Sequence, residues 1–279
     1  MRLAGKVAIV TGSATGIGRA IAVRCVAEGA RVVIHGLEAD LVAEVVAELN
    51  SKQGATRESA SAVGHVEELT LAGCPDRLVA LAVSSFGRLD AVVNNAAIVP
   101  AADIHTTDAA VFHRTLAVNT LVPLLLIKAA LPHLRAARGC ALNIGSVNAY
   151  SGEPNLLPYS ISKGGLMTLT RNLGDTLMRE DGVRVNQINP GWVLTANEIR
   201  RKREHGLADD WPSHLPREFC PAGRLLEPAE IAAAAVFWLS DECGPVSGQV
   251  CELEQHPFIG RNPPKNITTV PPRPLQQST

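Results

Sequence analysis

Short apolar runs rich in β-branched residues alternate along the chain with longer amphipathic stretches, the pattern of a parallel sheet covered on both faces by helices. The runs predict strands at Val7 to Thr11, Arg31 to His35, Glu58 to Ala62, Leu89 to Asn94, Ala141 to Ser146, Arg184 to Asn189 and Gln249 to Leu253. Helices are expected to fill the intervals. Seven strands connected in this way imply one α/β domain with a doubly wound, parallel, seven-stranded sheet, and in such sheets ligands bind beyond the carboxyl ends of the strands. Two helical stretches, Ala110 to Arg135 and Tyr159 to Glu180, carry long apolar faces that can pack on the sheet or pair with a second subunit.

At 279 residues one domain is enough, since a chain of this size buries about three quarters of its unfolded surface. Residues 1–255 are assigned to it. Residues 256–279, with Pro263-Pro264, Pro271-Pro272 and a polar end, are expected to form an extended or disordered arm. The segment from about Thr195 to Arg224 is charged and punctuated by Trp211, Pro212, Pro216 and Pro221, and reads as a mobile lid over a site. With 26 basic and 27 acidic residues, neither nucleic acid nor an anionic membrane is implied as a partner. The six cysteines are scattered without a C-x-x-C pair, which favours reduced thiols over disulfides or a metal site. Met1-Arg2-Leu3-Ala4-Gly5-Lys6 runs straight into the first strand with no signal-peptide pattern, and no apolar run approaches the roughly 18 residues of a membrane span. A soluble, cytoplasmic protein is expected.

Two patterns carry chemistry. Gly12-Ser13-Ala14-Thr15-Gly16-Ile17-Gly18 is entered from the apolar run Val7 to Thr11 and left through Arg19-Ala20-Ile21-Ala22-Val23. That order describes the first strand, loop and helix of a dinucleotide fold, where glycines admit a pyrophosphate close to the backbone and amides at the helix start hold its charge. The spacing G-x-x-x-G-x-G departs from the commoner G-x-G-x-x-G. Far downstream, Tyr159 and Lys163 lie four residues apart, which on a helix puts phenol and ammonium on one face. A neighbouring cation favours the phenolate, and each unit taken off a tyrosine pKa of about 10 corresponds to about 1.36 kcal/mol. Either pattern alone arises by chance. Together they point to an acid–base residue beside a nucleotide.

With these residues the chain resembles the classical short-chain dehydrogenase/reductase (SDR) family over roughly residues 3 to 250. Asn94-Asn95-Ala96-Ala97 is similar to the family's N-N-A-G, Asn119 in Val118-Asn119-Thr120 matches its mid-helix asparagine, Ser146 matches its serine, and Asn189-Pro190-Gly191 matches the loop that closes over the nicotinamide. The resemblance implies a Rossmann fold and an NAD(P)-dependent oxidoreductase that interconverts a secondary alcohol and a ketone. It implies Tyr159 as general acid/base, Ser146 as the hydroxyl that fixes the carbonyl, and Lys163 as the cation that lowers the phenol's pKa and holds the nicotinamide ribose. Asn119 would bind a water linking Lys163 to solvent. Cofactor contacts are expected along the glycine turn from Gly12, Ala14, Thr15, Gly16, Ile17 and Gly18, and at the next two strand ends from Gly36, Leu37, His65 and Val66. Further contacts are expected from Asn95, Ala96 and Ala97 and from Pro190, Gly191, Val193 and Thr195.

The chain departs from the family at several points. In similar enzymes an acid at the end of the second strand accepts the adenosine ribose hydroxyls of NAD, whereas an arginine there or in the glycine turn meets the NADP phosphate. Here the segment reads His35-Gly36-Leu37-Glu38, with Thr15 before Gly16. No cation meets a 2′-phosphate at that turn, which favours NAD, while His35 and Arg19 leave NADP open. His65 stands where an adenine-contacting aspartate is usual, Ala97 replaces the last glycine of N-N-A-G, and Leu253-Glu254-Gln255-His256-Pro257 replaces the expected V-D-G-G. Asn148, Tyr150 and Trp192 are expected at the substrate, and their hydrogen-bonding groups favour a small polyol, sugar or hydroxy-acid-like alcohol. The alternatives are a 3-oxoacyl-thioester reductase-like enzyme using NADPH, a non-redox epimerase or dehydratase, and a cofactor-binding regulator on the same fold. Similar proteins are dimers or tetramers, so a homo-oligomer is expected.

Overall fold

β1 (Val7–Val10), β2 (Arg31–Gly36), β3 (Ala62–Val66), β4 (Ala91–Asn94), β5 (Cys140–Ile144), β6 (Arg184–Pro190) and β7 (Val250–Leu253) form one sheet in the order β3-β2-β1-β4-β5-β6-β7. Every neighbouring pair is parallel. The computed structural model describes residues 1–51, 60–150, 152–204, 206–217 and 219–257. The chain winds one way from β1 to β3 and the other way from β4 to β7, so the crevice of such a sheet opens at the carboxyl ends of β1 and β4.

Alternation along each strand divides the core in two. Ala8 and Val10 join a cluster under α1 (Gly16–Ala27), α2 (Ala39–Ser51) and α8 (Pro228–Leu239), with Ile21, Val42 and Val236. Val7 and Ile9 face the opposite cluster under α3 (Cys74–Phe86), α5 (Val122–Ala137) and α6 (Leu157–Asp181), with Leu78, Leu126 and Leu177. The remaining helices are α4 (Ala109–Leu116), which leads into α5, and α7 (Ala196–Glu204), which lies beyond β6.

Three expectations change. The third strand runs Ala62–Val66 instead of Glu58 to Ala62, and residues 58–59 of the expected span lie outside the described residues. Gly64 masks this strand in the sequence, yet it has a packing reason: a β-carbon there would stand 2.8 Å from Cγ1 of Val42 on α2. The helix expected from Ala110 to Arg135 is interrupted by a π-helical turn, Ala117–Leu121, which carries Asn119. With that turn included, Ala109–Ala137 is, by length and composition, a helical stretch apolar enough to cross a membrane. Its inner face, with Leu126, Ile127, Ala130 and Leu134, belongs to the sheet core. Of the proline-rich arm, residues 258–279 lie outside the described residues.

A buried polar row ties the carboxyl ends of β4, β5 and β6 together. Asn94 donates to Asn143 Oδ1 (2.9 Å), and Asn143 donates to Thr170 Oγ1 (2.8 Å), which lies 2.7 Å from Gln187 Oε1. Gln187 in turn donates to Asn189 Oδ1 (2.7 Å), an oxygen that also accepts the backbone N–H of Ser146 (3.1 Å). The row leaves Asn94 Oδ1 and Asn189 Nδ2, at its two ends, without a partner among the described residues, while its internal bonds link the three strands. What they connect here is the floor of the crevice.

Candidate active site

Tyr159 and Lys163 project from the first turns of α6 on one side, and both line a cleft of about 890 Å³ that extends to Ile17 beside the glycine turn. The ammonium lies 5.7 Å from the centre of the phenol ring. Lys163 is 2% exposed, donates to the carbonyl of Ile144 (2.7 Å), and is pushed by burial down to about 8. Ser146 follows β5, accepts the N–H of Asn148 (3.1 Å), and shares a hydrogen bond with the Tyr159 hydroxyl. Burial raises the Tyr159 phenol above its ordinary value, against the Ser146 hydrogen bond and the positive charge of Arg201. The expectation that Lys163 lowers this pKa is therefore corrected. The balance is set by desolvation, and the opposing cation that reaches the hydroxyl is Arg201.

Asn119 sits beneath this group, but its side chain is engaged. Oδ1 accepts the N–H of Ile98 (2.9 Å), while Nδ2 donates to the Ile98 carbonyl (2.9 Å) and to Ser162 Oγ (3.0 Å). Both amide hydrogens are thus used, which leaves the second lone pair of Oδ1 for the expected relay water.

The glycine turn is built for close approach. Gly12 and Gly16 have φ of 61° and 56°, in the left-handed region that favours glycine. A β-carbon on Gly18 would collide with the Gly12 carbonyl and the Asn95 amide. Asn95 donates to the carbonyls of Thr11 (2.9 Å) and Gly12 (3.1 Å), and Thr11 Oγ1 accepts the N–H groups of Asn95 (3.0 Å) and Ala96 (3.1 Å). The amide of Asn95, expected at the cofactor, thus braces the turn, although the residue also borders the cleft.

A family model described as enoyl-(acyl carrier protein) reductase matches residues 12–254. L-fucose dehydrogenase of Mus musculus is 37% identical over 243 residues, 86% of this chain and 84% of that protein. 2-(S)-hydroxypropyl-CoM dehydrogenase 3 of Xanthobacter autotrophicus is 34% identical over 248 residues, 88% and 94% of the two chains. An uncharacterised oxidoreductase of Thermotoga maritima is 33% identical over 258 residues, 91% and 98%. The chain belongs to the short-chain dehydrogenase/reductase family. It is an SDR oxidoreductase acting on CH–OH groups, and with that family goes the use of a nicotinamide dinucleotide.

In this SDR the residues present fit such a dinucleotide. The glycine turn excludes side chains, and beyond it Leu37 and Val66 stand exposed, 56% and 46%, at adjoining strand ends, an apolar pair suited to a flat base. His65 lies within β3, next to Val66 and paired with His35 of β2. Its Nε2 meets Glu67 Oε2 at 2.9 Å, and Arg77 clamps the same carboxylate through two bonds of 3.0 and 2.6 Å. These partners hold the Glu67 carboxyl down to about 2. His65, Glu67 and Cys74 bring three ligand-type atoms within 4.8 Å, but Glu67 is already committed to Arg77 and His65. His35, which left NADP open, is a structural residue. It is 2% exposed, its Nδ1 faces the N–H of Gly12 (3.2 Å), and its Nε2 faces the carbonyl of Glu67 (2.9 Å). Arg19, the other such residue, pairs with Glu48 on α2 at 2.5 Å. Gly18→Ala is expected to destabilise the SDR by about 1–3 kcal/mol and to weaken reduced-cofactor binding at least about tenfold, because the turn must widen. Thermal melting and fluorescence titration check both.

On the substrate side, Asn148 and Trp192 line the cleft, together with Ala97, Pro190, Gly191, Val193 and Thr195. Tyr150 does not. Its hydroxyl is turned toward Glu252 and Asn189, and burial raises its pKa, so its expected substrate role is withdrawn. Part of the segment expected to form a lid packs into a small core of its own. Trp211, Cys220 and Leu225 form a satellite core with Trp192, Leu194 and Leu215, and the rings of Trp192 and Trp211 stack at 5.2 Å. Residues after β7 stitch it down. Gln255 accepts the N–H of Ala222 (2.9 Å) and donates to the carbonyl of Arg224 (2.7 Å), and Glu254 accepts the N–H of Trp192 (3.2 Å). Glu254, His256, Glu198, Arg200, Arg201 and Lys202 border the cleft and are not among the site residues expected from the sequence. The divergence after Leu253 and the run Arg200-Arg201-Lys202-Arg203 were the available signals.

Proposed function

We propose that this SDR interconverts a secondary alcohol and a ketone on a small polar substrate, a polyol, sugar or hydroxy acid, with Tyr159 as the proton carrier. The observation that carries this is the joint placement of Tyr159, Ser146 and Lys163 on one cleft that reaches the glycine turn. When bound, the nicotinamide supplies or takes a hydride. Tyr159, kept protonated by burial, donates its proton to the carbonyl oxygen, or accepts one in the reverse direction. The Ser146 hydroxyl, already on the phenol, hydrogen-bonds the same oxygen and fixes its position. Lys163, within one helical turn of the phenol, is a donor for the nicotinamide ribose. The charged wall of the cleft supports a polar substrate over a long acyl chain, and the names of the two dehydrogenase relatives, which refer to L-fucose and to 2-(S)-hydroxypropyl-CoM, fit this class.

We propose NAD as the cofactor. His35 and Arg19 are committed elsewhere, and the exposed residues at the end of β2 are Leu37 and Glu38, which offer no cation to a 2′-phosphate. The proposal extends to a cytoplasmic homo-oligomer. All six cysteines are free thiols, and Leu121, Leu125 and Ile161 remain exposed on the π turn, α5 and α6.

A panel of small secondary alcohols and ketones, assayed with both nucleotides at 340 nm, is expected to give net absorbance change with at least one hydroxy compound. NAD should exceed NADP in kcat/KM at least about tenfold. Conversion of substrate with no net absorbance change would assign an epimerase or dehydratase, and cofactor binding without any conversion would assign a regulator. Preference for NADP would overturn the cofactor proposal alone.

A further inference from the structure

The wall that faces the cleft from α7 carries a run of cations with hydrogen-bond donors to spare. Arg200, Arg201 and Lys202 all border the cavity. Arg201 uses Nη2 to hold Glu198, at 2.7 Å from one oxygen and 3.0 Å from the other, and Lys202 approaches the same carboxylate at 4.0 Å. Glu198 further accepts the indole N–H of Trp192 (2.9 Å), so one carboxylate serves two cations and a ring. Lys202 is also held over Trp192 and Trp211, at 5.0 and 6.0 Å from their centroids. Among the described residues Arg200 has no carboxylate partner, and Nε and Nη1 of Arg201 have no acceptor.

The acids of the cleft face other donors. Glu254 accepts the N–H groups of Trp192 (3.2 Å) and Gln255 (2.7 Å), and Glu153 accepts from Asn148 at 3.4 Å. Glu204 is exposed at the end of α7. Two arginines with spare donors therefore border the cleft, and the charge of Arg201 reaches the reacting phenol, opposed there by that of Glu153. A guanidinium presents several donors in a rigid plane that matches a carboxylate, which a water-filled cleft alone leaves unused.

Resting on the alcohol–ketone reading of this site, we propose that the substrate is anionic: a hydroxy or oxo carboxylic acid whose carboxylate is received by Arg201, with Arg200 beside it, while its carbinol or ketone oxygen lies at Tyr159 and Ser146. Arg201 is on this account the residue that selects acids over neutral alcohols of the same skeleton.

The test compares each member of a set of 3-hydroxy, 4-hydroxy and polyhydroxy carboxylates with its own primary amide. Wild-type kcat/KM is expected to favour the acid by at least about tenfold at low ionic strength, with the advantage shrinking as salt is added. In Arg201→Gln the acid-to-amide ratio should fall to within about threefold of unity. A purely structural role for Arg201, through Glu198 and Trp192, would lower both members alike and leave the ratio where it was. Arg203→Gln, at an exposed arginine paired with Asp209, is the control and should keep the wild-type ratio. Binding is read separately by tryptophan fluorescence, titrating the cofactor-loaded protein with malonate and with malonamide. A malonate preference in wild type that disappears in Arg201→Gln supports the anion site even where no alcohol in the panel turns over, and in that case it is the reaction reading that falls. Equal binding of malonate and malonamide by wild type overturns the proposal, as does a loss in Arg201→Gln confined to cofactor affinity, which would assign the guanidinium to the dinucleotide phosphates.

Discussion

Tyr159→Phe is expected to lower turnover by about 10²–10⁴-fold while the cofactor affinity changes by less than about threefold. The substitution removes one oxygen. The ring still fills its place on α6, Lys163 still donates to Ile144, and the glycine turn is untouched. What is lost is the proton carrier at the substrate oxygen and the hydrogen bond to Ser146, so the loss should fall on kcat and kcat/KM together. Steady-state kinetics on a verified substrate, paired with reduced-cofactor fluorescence titration, checks both halves. Near wild-type turnover in this variant would remove Tyr159 from the reaction. A collapse of cofactor binding would show instead that the phenol holds the nucleotide site together.

Lys163→Met should cost at least about a hundredfold in turnover and weaken the cofactor, but its sharper signature is a pH dependence of stability. The folded amine loses its proton near pH 8, whereas its ordinary value is 10.5. Between these values the unfolded chain binds more protons than the folded one, so wild-type stability rises with pH across the window relative to a variant without the amine. At about 1.36 kcal/mol per unit the rise amounts to about 3 kcal/mol. Near pH 7.5 the two proteins should be closer than the burial of a charge alone implies, because the variant also leaves the Ile144 carbonyl without its donor, a loss of about 1–3 kcal/mol. Urea unfolding of both proteins under reducing conditions at pH 7.5 and pH 10 gives the difference. A flat or falling difference would mean that water reaches the amine.

Much of the framework could be read from local pattern, because strands buried on both faces must be apolar and β-branched, and the glycine turn and the Tyr159–Lys163 spacing are short-range signals. The exceptions are places where a contact distant in sequence decides. Gly64 belongs to a strand because Val42 on α2 presses against it. His35 ends under the glycine turn because Gly12 and Glu67 offer it partners from two other segments. The Tyr150 hydroxyl is taken up by Glu252 and Asn189, residues of two strands, and Asn119 is occupied by Ile98, a residue of another loop. The buried row from Asn94 through Asn143 and Gln187 to Asn189 joins three strands by side-chain bonds that no periodicity announces. In the same way the cations of α7 look like a solvated surface run until Glu198 and the two stacked indoles turn them inward.

Gln255 and Glu254 fasten the packed segment above the cleft from outside the catalytic floor, using backbone groups of Trp192, Ala222 and Arg224. The proposed proton carrier on α6 and the proposed substrate-facing segment are therefore mechanically separable, joined at a seam a few residues long. Drift in that seam gives a lineage a way to exchange one metabolite for another without disturbing α6 or the polar row beneath it.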